Sequence, residues 1–176
     1  MIGKLSMVAL VLSASLTAGN LSFVSGNITG HTEVFGDNTI DPMSKKATSH
    51  LSMDASPATL KGAMEVSLSD LFSDNKKRDE HMQEALESSS FPKAIFDLKE
   101  TVAKSGDAYT LKGTMTLHGV SKPMSFEGTI TEEGSKVHIK AASVLKMTDY
   151  GIKPIKMMFL TVRDQVDVTV DVTLKR

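Results

Sequence analysis

The chain has 176 residues and a formal net charge of −1, enough for one domain with a substantial core and too little positive charge to support a nucleic-acid partner. It contains no cysteine, which excludes disulfides, zinc thiolates, a lipoprotein anchor and thiol catalysis. Past the N-terminal segment, no stretch is long and apolar enough to span a bilayer as a helix.

The N-terminus has the layout of a secretory leader. Lys4 supplies a short positive region, Leu5 and Met7 to Leu12 an apolar stretch, and small residues follow to Leu16-Thr17-Ala18. This order predicts export to the periplasm, or secretion, with cleavage near Ala18. Residues 1–18 are therefore set apart as a signal peptide, and residues 19–176 are expected to form one domain.

Alternation dominates the remainder. A weak strand is expected from Val24 to Phe35 and a second from Thr48 to Ala55. Leu60, Gly62, Met64, Val66 and Leu68 then alternate with polar or small residues, which places one dry and one wet face on a strand. From Asp74 to Ser90 the pattern changes: Arg78, Met82, Ala85, Leu86 and Ser89 fall at helical spacing. This predicts a short amphipathic helix across one end of the fold, with Asp74 as its cap and Phe91-Pro92 as its stop.

Period two resumes at Ala94, Phe96, Leu98 and Val102, then at Tyr109, Leu111, Met115 and Leu117. It continues at Met124, Phe126 and Ile130, and at Val137, Ile139, Ala141, Leu145 and Met147. The last strand carries Val166, Val168, Val170, Val172 and Leu174. Turns are expected at Lys104–Asp107, Gly119–Pro123 and Glu132–Ser135. Consecutive hairpins with one apolar face predict an all-β, antiparallel up-and-down barrel of about eight strands with one short helix.

Gly62, Gly113 and Gly128 fall on the apolar faces of their strands. Such glycines either let a strand coil tightly enough to close a barrel or leave room inside it. Barrels of this size lie at the limit between a filled interior and one that holds a small ligand. The apolar rows nominate Leu60, Met64, Val66, Phe96, Leu98, Leu111, Met115, Leu117, Phe126, Ile130, Val137, Ile139 and Leu145 as lining residues. Tyr150 and the cluster from Lys153 to Leu160, with Met158 and Phe159, are nominated for the mouth. A ligand among such walls must itself be apolar, because an unpaired charge there is costly.

The run Leu111-Lys112-Gly113-Thr114-Met115-Thr116-Leu117-His118-Gly119-Val120-Ser121-Lys122-Pro123-Met124 resembles the signature hairpin of the YceI-like family. Upstream, Arg78-Asp79-Glu80-His81-Met82 and Phe91-Pro92-Lys93-Ala94-Ile95-Phe96 are similar to that family's helix and following strand, so the resemblance covers roughly Leu60 to Leu174. It implies a lipocalin-like barrel in the bacterial periplasm. It also implies an elongated pocket for an amphiphile such as a polyisoprenoid, with no catalytic centre.

The five histidines, His31, His50, His81, His118 and His138, are scattered. None has the spacing of a helical metal pair or of a nucleophile–base set, so no enzyme, metal or cofactor is expected. The leading expectation is an exported carrier of a long apolar amphiphile, a polyisoprenoid or fatty-acyl lipid. Two alternatives remain: a closed-barrel structural or interaction protein of the envelope, and a cuprous-ion binder using methionine thioethers. Whether two barrels pair as a homodimer is left open.

Overall fold

The computed structural model describes residues 19–34, 38–153, 156–157 and 160–176. The expected leader lies outside them. Eight long strands form the frame: β1 (Gly19–Val34), β2 (Thr48–Met53), β3 (Lys61–Ser67), β4 (Lys93–Ala103), β5 (Ala108–Leu117), β6 (Val120–Glu133), β7 (Lys136–Lys146) and β8 (Gln165–Lys175). Each pairs antiparallel with its neighbour in sequence, and β8 closes the ring on β1 from Ser22↔Lys175 to His31↔Asp167. The result is the closed up-and-down barrel expected from the alternation. Closure removes the sheet edges that an open meander would expose.

The two ends of the barrel differ. At one end lie the β4–β5 hairpin, the β6–β7 hairpin and both described termini. Here Leu21, Met53, Ile130, Val137, Val172 and Leu174 are almost wholly buried and form a packed floor. At the other end lie the longer connections, including the only α-helix among the described residues, α1 (Lys76–Ala85). Short strands Asn38–Ile40 and Met43–Ser44 fold back onto β1 at that end.

Three local expectations are corrected. The helix starts one residue later than expected, because Asn75 rather than Asp74 caps it. The Asn75 side chain accepts the Arg78 N–H at 3.1 Å, satisfying one of the free donors of the first turn. Asp74 instead pairs with the Arg78 guanidinium at 3.3 Å. The helix also stops at Ala85, well before Phe91, where Glu87 takes a left-handed φ of 46°. Finally, the β5–β6 turn is confined to His118-Gly119, and Pro123 lies inside β6 opposite Thr114.

Candidate ligand cavity

Inside the barrel is a cavity of about 660 Å³. All eight strands contribute to its wall: Ile28 from β1, Leu51 from β2, Met64 from β3, Phe96 from β4, Met115 from β5, Phe126 from β6, Ile139 from β7 and Val168 from β8. Strand alternation explains this, since every second side chain of a closed barrel must point inward. The charged side chains among the described lining residues, Arg78 and Glu84, both belong to α1, as does His81. The wall is thus apolar and the charge is gathered at one end. Phe96 on β4 and Phe126 on β6 meet edge-on along the wall, over β5, with ring centroids 4.9 Å apart.

Of the residues nominated from sequence, Leu60, Met64, Val66, Phe96, Leu98 and Leu111 border this cavity, and so do Met115, Leu117, Phe126, Ile139 and Leu145. Ile130 and Val137 do not. They flank the Gly134 hairpin and are spent in the floor, where they show 1% and 0% of their surface. Tyr150 is buried but borders a groove on the outside of the barrel rather than the cavity. Burial, with the Asp149 carboxylate beside it, pushes the Tyr150 phenol above its usual pKa. Met158 and Phe159 lie outside the described residues. Sequence reasoning missed the strap residues Ile40 and Pro42, and Ile152 and Val162 in the β7–β8 connection, all of which line the cavity.

The glycines do not make the space. A Cβ on Gly62, Gly113 or Gly128 would lie 2.3, 2.3 or 2.0 Å from the carbonyl oxygen of His50, Asp97 or Lys140. These positions are where the backbones of adjacent strands come closest, as tight coiling requires. The cavity arises instead because the inward side chains above the floor do not reach across the barrel.

The helix end is tied down at few points. Gln83 Nε2 donates to the Leu68 carbonyl at 2.6 Å, and Arg78 Nη1 donates to the Thr39 carbonyl at 3.4 Å. The strap from Asn38 to Pro42 is held to β1 by the Gly30 N–H, which donates to the Pro42 carbonyl, and by His31 Nδ1, which lies 2.5 Å from the Asp41 carboxylate. That hydrogen bond, with the charges of Asp41 and Glu33, raises the His31 pKa. The same bond lowers that of Asp41, with a smaller contribution from Arg78.

At the same end of the barrel His118, itself at a left-handed φ of 51°, joins three connections. Its ring lies 4.4 Å from that of Phe91, its Nδ1 is 3.2 Å from the Tyr150 carbonyl, and its Nε2 is 3.5 Å from Glu87. These contacts give His118 a positioning role at the rim. No cluster of three or more potential metal ligands occurs among the described residues.

The wall has two interruptions. β1 and β2 pair only from Gly19↔Met53 to Leu21↔Leu51, and β6 and β7 pair only from Glu133↔Lys136 to Glu127↔Ala142. At each split a serine hydroxyl takes over from the missing ladder: Ser49 donates to the Leu21 carbonyl and Ser143 to the Ser125 carbonyl, both at 2.6 Å. The first split is covered because Met43–Ser44 pairs with Ile28–Thr29 of β1. Outside the second runs the groove that Tyr150 borders. Lys122 to Ser125 form one of its sides and Ser143 to Lys146 the other.

A closed antiparallel barrel with an apolar interior and a partly covered end belongs to the broad class of barrels that enclose a ligand space. The chain belongs to the YceI-like domain family, which matches residues 13–174. Relatives include a UPF0312 protein of Pseudomonas putida (strain W619), 32% identical over 110 residues, covering 56% of each chain. A UPF0312 protein of Yersinia pestis (strain Pestoides F) is 30% identical over 107 residues, covering 56% of this chain and 55% of the relative. The chain thus spans a little over half the length of these relatives.

Among solved structures, Burkholderia cenocepacia BcnA superposes with a TM-score of 0.75 at 13% identity, covering 84% of this chain and 95% of that one. A polyisoprenoid binding domain from Saccharophagus degradans superposes with a TM-score of 0.64 at 12% identity, covering 89% and 97%. At these identities the likeness establishes the shared fold.

Proposed function

We propose that this protein is an exported, non-catalytic carrier of a long-chain amphiphile, a polyisoprenoid or fatty-acyl lipid, held with its chain inside the barrel. The observation that carries this reading is the cavity of about 660 Å³, walled by apolar side chains from every strand and charged only along α1. Each methylene moved from water into such a space gains about 0.8 kcal/mol, so a long chain binds with few polar contacts. The polar end of the cargo would rest near Arg78, His81 and Glu84. The barrel fold shared with the Saccharophagus degradans polyisoprenoid binding domain supports the choice of cargo class. The leader expected over residues 1–18 supports a periplasmic or secreted location.

The residues assigned to cargo contact are Leu60, Met64, Val66, Phe96, Leu98, Leu111, Met115, Leu117, Phe126, Ile139 and Leu145. A filled barrel acting only through its outer surface fits less well, because the interior is not filled. The test is mass spectrometry of organic extracts from protein purified without detergent from its own envelope. A stoichiometric isoprenoid or acyl species is the expected result. Empty protein that also takes up nothing from isoprenoid and fatty-acid mixtures would overturn the reading.

A further inference from the structure

We propose that the split between β6 and β7 is a lateral passage through which the apolar chain of the cargo enters and leaves the barrel. The proposal rests on the carrier reading above. Four observations meet at this place. First, ladder pairing between the two strands ends at Glu127↔Ala142, although β6 begins at Val120 and β7 runs to Lys146. Over that interval the Ser143 hydroxyl donates to the Ser125 carbonyl.

Second, the split cannot close into a complete ladder. Backbone groups of alternate residues point to the same side of a strand. The Ser125 carbonyl faces β7, so the backbone of Pro123 faces β7 as well. Pro123 has no N–H to donate there, which is the one arrangement in which a strand accommodates proline without losing a ladder bond.

Third, the wall at this point is one side chain thick. Leu145 borders both the central cavity and the outer groove of about 410 Å³. Met124 and Tyr150, both nearly buried, lie beneath that groove, while Lys122, Lys146 and Asp149 stand on its rim. A hydrocarbon chain leaving past Leu145 would cross a groove of mixed polar and apolar lining.

Fourth, among the described residues the other two openings are each crossed by backbone. The β1–β2 split is filled by Met43–Ser44, and the open end of the barrel is crossed by α1 and the Asn38–Pro42 strap. Admitting a chain at Leu145 requires that side chain to move, and the Ser143 hydroxyl and the Lys122–Asp149 pair at 3.9 Å to give way.

The chain has no cysteine, so thiol crosslinks can be placed without background. Ser125→Cys with Val144→Cys, both on the outer face, allows a short bis-thiol crosslinker to lock the split. Thr116→Cys with Ser121→Cys provides the control: these hydroxyls lie 2.8 Å apart across the fully paired β5–β6 seam of the same rim. Each protein is loaded with a fluorescent long-chain fatty acid, and transfer to phosphatidylcholine vesicles is timed before and after crosslinking. Locking β6 to β7 is expected to slow transfer by about tenfold or more while leaving equilibrium loading unchanged, as expected for a gate rather than a binding contact. The control crosslink is expected to leave the rate as it was. Transfer at the parent rate from the locked barrel would overturn the passage. Failure of the uncrosslinked proteins to load would instead overturn the carrier reading itself.

Discussion

Val137 on β7 stands opposite Leu174 on β8, and neither side chain exposes any surface to solvent. The pair lies at the end of the barrel where the interior is filled. Leu174→Ala is expected to cost about 3–5 kcal/mol, since it removes buried methylenes and leaves a void that the tightly packed floor cannot collapse around. Met115→Ala, whose side chain already borders open space, should cost clearly less. Urea denaturation of the two variants gives the comparison, and equal losses would contradict the division into a packed floor and a hollow upper barrel.

Filling the hollow should separate binding from folding. Val168→Phe places a ring in the cavity from β8, where the side chain already has room. Loading of a fluorescent fatty acid is expected to fall by about tenfold, the equivalent of about 1.4 kcal/mol. Thermal stability should be maintained or raised, because new apolar contacts replace empty space. Unchanged loading would show that the chain binds elsewhere.

Close strand approach makes a different demand. Gly128→Ala sets a Cβ about 2.0 Å from the Lys140 carbonyl oxygen, next to Ala141. β6 and β7 must separate to admit it, with an expected loss of about 1–3 kcal/mol, the usual range for overpacking. Chemical denaturation measures the loss. A neutral effect would restore the view that the glycine simply leaves space.

The strap at the open end should respond to pH through His31 and Asp41. His31 has a raised pKa, so its contribution is fully present below its ordinary value of about 6.5 and disappears as pH rises through the raised one. Asp41 has a lowered pKa, so its contribution holds above the ordinary carboxylate range and disappears as pH falls through the lowered value. The pair is therefore tightest between the two. Glu33 on the same strand adds to the His31 shift, and Arg78 on α1 adds to that of Asp41. Asp167, opposite His31 on β8, is paired with Arg163 at 3.2 Å. Asp41→Asn is expected to move the His31 ring titration, followed by proton NMR, to lower pH. The effect on global stability should stay below about 1 kcal/mol, as usual for an exposed ion pair. An unmoved titration would dissolve the pair.

The barrel was legible in the sequence because a half-buried strand writes its burial at every second residue, and four such rows separated by short turns leave little choice of neighbour. The helix was legible from the break in that period, but its start was not, since Asp74 and Asn75 are both good caps and only the backbone angles choose between them. Period two says which side chains point inward but not how far along the axis they sit, so Ile130 and Val137 could not be told from wall residues by pattern alone. Their closeness to the Gly134 hairpin was the available signal. Pro123 read as part of a turn because proline rarely lies within a sheet. Its place in β6 depends on a neighbouring strand being absent on one side, a tertiary fact with no local signature. The fold-back of Met43–Ser44 onto β1 was equally hidden, because only two residues pair there.

Pro123 also bears on how the protein behaves among copies of itself. Two strands that part company leave unpaired N–H and C=O groups, and such groups recruit strands from other molecules. At this split the missing N–H of Pro123 and the lysines at 122 and 146 make the exposed stretch a poor template for a foreign strand. The barrel can therefore keep an unzipped length of wall in a crowded compartment without that length becoming the seed of an aggregate.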